Sequence, residues 1–65
     1  MDRHNYTLTN GRMISIATGI ILEFMEHDQY TVIKTSIGEH EVMELFDEVK
    51  EIVRAYDIRL WALEN

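Results

Sequence analysis

The 65-residue chain has no cysteine and no proline, and only three glycines. Without cysteine, disulfides, thiolate metal sites and thiol nucleophiles are all excluded. A chain this short buries only about 60% of the surface its unfolded form exposes. Domains of this size add disulfides, a metal or a second subunit. With no cysteine, idealised packing or oligomerisation is left. Scarce glycine and absent proline speak against a flexible linker, so the chain reads as a single domain, 1–65. The lack of cysteine fits a reducing cytoplasm, the expected location.

Basic residues are also few: six Lys and Arg stand against twelve Asp and Glu, for a net charge of −6. Binding to DNA, RNA or anionic lipid needs cationic neutralisation. No direct nucleic-acid or membrane partner is therefore expected. A basic protein surface is a compatible partner, and so is plain solubility, the commoner reason for such a charge. No apolar run approaches the ~20 residues that span a bilayer. The stretch "MDRHNYTLTNG" lacks the apolar core of a signal peptide. The expectation is a soluble protein.

What is present is globular, with 46% hydrophobic and 28% charged residues. Asn10-Gly11 supplies the two positive-φ residues of a type I′ turn, which places Thr7 opposite Ile14 and Leu8 opposite Met13. The second strand continues through "ISIATGIILEFM", where Gly19 suggests a bulge or a close approach. "EHDQ" reads as a turn and "YTVIKTS" as a third strand. An odd-numbered loop pairs Phe24 with Tyr30 and Leu22 with Val32 on one face, and Ile21 with Ile33 on the other. Both faces then carry large aliphatics. One helix covers one face, and a partner must cover the other.

Ser36-Ile37-Gly38-Glu39 matches a helix capping box. The helix that follows places Val42, Leu45, Phe46, Val49, Ile52, Val53 and Tyr56 on one stripe. After Asp57, "IRLWALEN" alternates as a closing strand, while Leu60 and Leu63 would also continue the helix. The expected fold is α+β: a small antiparallel β-sheet, order β-β-β-α-β, with one amphipathic helix packed on one face. The alternative is β-β-β-α with a long C-terminal helix.

Chemistry-bearing motifs are scarce. "EHEVMELFDEVKE" holds six carboxylates and one lysine. On a helical wheel Glu41, Glu44, Glu48 and Glu51 share one flank, and like charges at i,i+4 oppose helix formation. That is either an acidic docking ridge or, more commonly, a solvated face. His40 and Glu44 have the spacing of two helical metal ligands, but chance supplies this pair often, and no metal or cofactor is expected. Ser36 is taken as a cap, and Ser15 lies in strand pattern with no nucleophile-elbow motif. Glu23, the one acid in a strongly apolar strand, is expected to point outward at a sheet edge. No catalytic residue is assigned.

The leading reading is a small acidic, non-enzymatic binding or regulatory module acting as a homo-oligomer. Its size suits an inhibitor of the kind that phages and mobile elements encode, docking on a basic protein surface. Its partner-binding candidates are Ile21, Met25 and Ile33 on the second apolar face, the acids Glu41, Glu44, Glu48 and Glu51, and Trp61. The alternative is an oligomer that binds a nucleotide-like small molecule between subunits. Arg54 and Arg59, with Arg12 and Lys34, would contact its anion, and Trp61 or Tyr30 would stack on its ring.

Overall fold

The computed structural model describes residues 3–64, with side chains described for residues 3–57. The chain forms β1 (Arg3–Thr7), β2 (Met13–Ala17), a 3-10 turn (Thr18–Ile20), β3 (Ile21–Glu26), β4 (Thr31–Thr35), β5 (Gly38–Val42) and α1 (Phe46–Glu64). This is an α+β fold with antiparallel pairing and a single helix. The element order is β-β-β-β-β-α, so five strands precede the helix where three were expected, and the strand expected behind it is not formed.

β1 pairs with β2, and β3-β4-β5 form a second sheet. A bridge between Leu8 and Val42 joins the two. The Met43 amide donates to the Thr7 carbonyl (2.7 Å) and the Thr9 amide to the Glu41 carbonyl (3.1 Å). In space the strands therefore follow one another as β2-β1-β5-β4-β3.

The first hairpin has a three-residue loop instead of the expected two. The Leu8 amide donates to the Arg12 carbonyl (2.6 Å) and the Gly11 amide to the Leu8 carbonyl (2.9 Å). Only Gly11 takes a positive φ, 89°, as in a type I turn closed by a left-handed residue. Asn10 spends its side chain accepting from the Arg12 amide (2.9 Å). The register moves by one residue, so Tyr6 faces Ile14 and Thr7 faces Met13. That slip carries Tyr6 into the core.

The long second strand is broken by the 3-10 turn at Thr18–Ile20. Gly19 marks a close approach, because a Cβ there would lie 2.8 Å from the Tyr56 hydroxyl. In the β3-β4 hairpin Met25 faces Val32 and Phe24 faces Ile33. The loop is thus even-numbered, closed by the His27 amide on the Tyr30 carbonyl (2.9 Å). The two rings stack at 4.8 Å, so Tyr30 packs on His27 and not on Phe24. The register shifts between Ile21 and Glu23, leaving Leu22 as the extra residue. A bulge inverts the alternation on its far side. Ile21 and Phe24 therefore share the Ile33 face, and the expected second apolar face does not form. Opposite the core lie Met25 and Val32 with Glu23, Lys34, Glu39 and Glu41.

Ser36-Ile37-Gly38-Glu39 is a β4-β5 turn, not a helix cap. Thr35 pairs with Gly38, the Thr35 hydroxyl bonds the Gly38 carbonyl (2.9 Å) and accepts from the Ile37 amide (3.2 Å). Gly38 has φ 146°, which no helical first turn accommodates. Val42 ends β5, and the helix begins at Phe46, where Asp47 and Glu48 in the first turn complement its dipole. It then continues to Glu64, so the closing strand after Asp57 is replaced by the long C-terminal helix. α1 covers the core face through Phe46 against Phe24 (ring centroids 5.1 Å). Tyr6, Ile16, Ile33, Val42 and Val49 form the buried centre, with Ile52 and Val53 packed on it.

Candidate functional site

Two exposed apolar areas lie at opposite ends of α1. The first surrounds the 3-10 turn. The Ser36 amide donates to the Ile20 carbonyl (3.1 Å), which ties the β4-β5 turn to it. Tyr56 meets Gly19 from the helix side. Here Ile37 is 81% and Leu22 73% exposed, both large aliphatics left on the outside by a turn and a bulge. The helix passes this end after Tyr56. Nineteen residues make a helix about 28 Å long, whereas the shorter extents of the molecule are 20 and 16 Å and the longest is 40 Å.

The second area is where β1, β2 and β5 meet the start of α1. Met13 faces Thr7 on β2, and Met43 bonds Thr7 from the other side. The two methionines flank one threonine on the face away from the core. Met13 is 67%, Met43 51% and Leu45 63% exposed. Their frame is held firmly by Glu44. Its carboxylate accepts from the Thr7 amide (2.9 and 3.2 Å), taking the place of the next strand bond. Its carbonyl accepts from the Thr31 hydroxyl (2.8 Å).

Tyr6 sits beneath this frame. It is fully buried, and its hydroxyl has no hydrogen-bond partner among the described residues. Burial, and then the nearby Glu44 charge, raise its pKa above the usual tyrosine value. An unfolded chain thus releases this proton at lower pH than the native one does. Tyr6 therefore supports stability below about pH 10 and withdraws that support as pH rises through its raised pKa. We expect Tyr6→Phe to match or exceed wild-type stability by about 1 kcal/mol, because an unsatisfied buried hydroxyl is removed. Urea melts at pH 7 and above pH 10 check both points: the variant should lose less stability at high pH. A destabilised Tyr6→Phe would contradict the unpartnered hydroxyl.

No family model, no curated protein and no solved structure matches the chain. Function must be argued from these surfaces.

The structure redistributes the candidates read from sequence. Ile33 is fully buried in the single chain, and Ile21 and Phe24 pack against the same core. Met25 is half-buried on the opposite face. The four acids do not line one helix flank: Glu41 is on β5, Glu44 joins strand to helix, and only Glu48 and Glu51 are on α1. Glu51 lies 3.9 Å from Arg54, so the proposed anion contact has a carboxylate beside it. His40 is on β5, which removes the helical His40–Glu44 spacing. No metal-ligand cluster occurs among the described residues. His4 pairs in β1 and packs edge-on against Tyr6 at 4.9 Å. Glu23 is exposed and pairs with Lys34 (3.9 Å), outward as expected. The side chains of Arg59 and Trp61 lie outside those described. Sequence reading missed Met13, Met43, Leu45, Ile37 and Leu22. Their signal was apolar residues at turns and strand ends, which only the true register distinguishes from core.

Proposed function

We propose that this protein is a non-enzymatic binding module that works as a homo-oligomer, joined at the end of the molecule where α1 passes the 3-10 turn. The observation that carries this reading is the length of α1, which runs on past Tyr56 to Glu64. Tyr56 meets Gly19 and is half-buried, and Asp57 after it is exposed. The eight residues after Tyr56 extend the helix by about 12 Å, and their sequence includes Ile58, Leu60, Trp61 and Leu63. Exposed Ile37 and Leu22 stand beside the point of exit. A two-fold arrangement would set each helical extension against the other chain's apolar end, each covering the same patch on its partner. Such an interface also answers the marginal core of a 65-residue chain. A regulatory role, exerted by occupying another protein's surface, suits a chain whose described residues present exposed apolar side chains.

The experiment is light scattering on a sizing column for wild type, Ile37→Asp and Leu60→Asp. Ile37 is exposed, so its substitution leaves the single-chain fold in place. Both variants should run as single chains with wild-type circular dichroism. Unchanged oligomer mass in both would overturn this interface.

A further inference from the structure

We infer that the surface formed by Met13, Met43 and Leu45 is a docking site for a partner protein segment that offers an apolar side chain flanked by lysine or arginine. The proposal deepens the binding-module reading by naming a surface and the chemistry that fits it, at the end of α1 remote from the oligomer contact.

Three observations support it. The apolar side chains lie outside the core: Met13, Met43 and Leu45 are each more than half exposed, while Val42, next to Met43 in the chain, is fully buried in the core. The backbone beneath is fixed, since Met43 is bonded to Thr7 on one side and Glu44 holds both Thr7 and Thr31. A rigid frame carrying long, unbranched, polarisable methionine side chains adapts to an apolar guest at little ordering cost. The charge around the patch is one-sided. Glu41 precedes Met43 by two residues on the same strand face, Glu44 lies between Met43 and Leu45, and Asp47 and Glu48 follow in the first turn of α1. The bases near them are Arg12, beside Met13, Arg3, whose guanidinium bonds Ser15 two residues along β2 from Met13 (3.0 Å), and Lys50, one turn further along α1. The negative potential is therefore concentrated on the Met43–Leu45 side. A guest with cations flanking its anchor is complementary there. Asp47 and Glu48 also serve the helix dipole and Glu44 the Thr7 amide, while the Glu41 carboxylate accepts from the Thr9 hydroxyl at 3.4 Å.

The probe is a synthetic amphipathic peptide of leucine and lysine, with the same peptide carrying glutamate for lysine as its control. Methionine methyl groups of the full chain are followed by NMR during titration. Met13 and Met43 should shift and Met25 should not. Met43→Asp, at an exposed position, should weaken binding by about tenfold or more and keep the solution mass and the dichroism of wild type. Equal binding of the glutamate peptide, a shift at Met25 as large as at Met43, or unaltered affinity in Met43→Asp would overturn the site. Docking by a wild-type protein that proves to be a single chain would uphold this site and remove the oligomer reading alone.

Discussion

Ile33→Asp should unfold the isolated chain at 25 °C. Ile33 sits on β4, the middle strand of the three-stranded sheet, has no exposure and belongs to the buried cluster with Tyr6, Val42 and Val49. A domain of this length holds about 3–10 kcal/mol in total. Losing the buried aliphatic costs about 2–5 kcal/mol, and an unpaired carboxylate in the same position adds several more. The sum is as large as the whole stability of the fold. Circular dichroism should show loss of helix and strand together, and a milder Ile33→Val should remain folded with a cost of about 1 kcal/mol. A folded Ile33→Asp of reduced mass would instead put Ile33 in an interface, as the sequence alone suggests, and would contradict the strand register described above.

Gly19→Ala should destabilise the protein by about 1 kcal/mol, because a methyl on this exposed glycine meets the end of the half-buried Tyr56 side chain, which must shift to admit it. The added methyl carbon would stand 2.8 Å from the Tyr56 hydroxyl oxygen and 3.5 Å from the ring carbon that bears it. Only the first is a clash. Tyr56→Phe removes that oxygen and leaves an ordinary contact, so the same glycine substitution should cost under about 0.5 kcal/mol in the Tyr56→Phe background. At about 4–8 °C per kcal/mol for a domain of this size, the difference is easily read in thermal melts. Equal costs in both backgrounds would mean that α1 does not cross the 3-10 turn at Gly19. The placement of the helical extension would then fall with it.

The sequence carried the class of the fold because composition and periodicity survive small errors of register. Val49, Ile52, Val53 and Tyr56 mark the packed stripe of α1 wherever the helix starts. Asn10-Gly11 marks the first turn, although the turn closes through Gly11 alone. The faces of β3 were not legible. A single bulge at Leu22 exchanges Phe24 between them, and nothing in "ILEFM" distinguishes a bulged leucine from a paired one. The strand β5 was hidden for a different reason. "GEHEV" has one strong apolar residue, and its Ser-x-x-Glu prefix is shared by a helix start and by this turn. What tells them apart is the φ of Gly38 and the hydroxyl of Thr35 folding back on the turn. The candidate surfaces follow from those same two misreadings. The second apolar face dissolves once the bulge is placed. The acidic ridge breaks up once Glu41 belongs to a strand and Glu44 binds the Thr7 amide. Exposed Leu45, assigned by helical spacing to the core stripe, emerges as surface only after the helix start moves to Phe46.

The measurement that bears most directly on this account is the solution mass of the wild-type chain by sedimentation equilibrium over a wide concentration range. The account predicts a mass that is a multiple of one chain and falls toward a single chain on dilution. A mass of one chain at every concentration would contradict it.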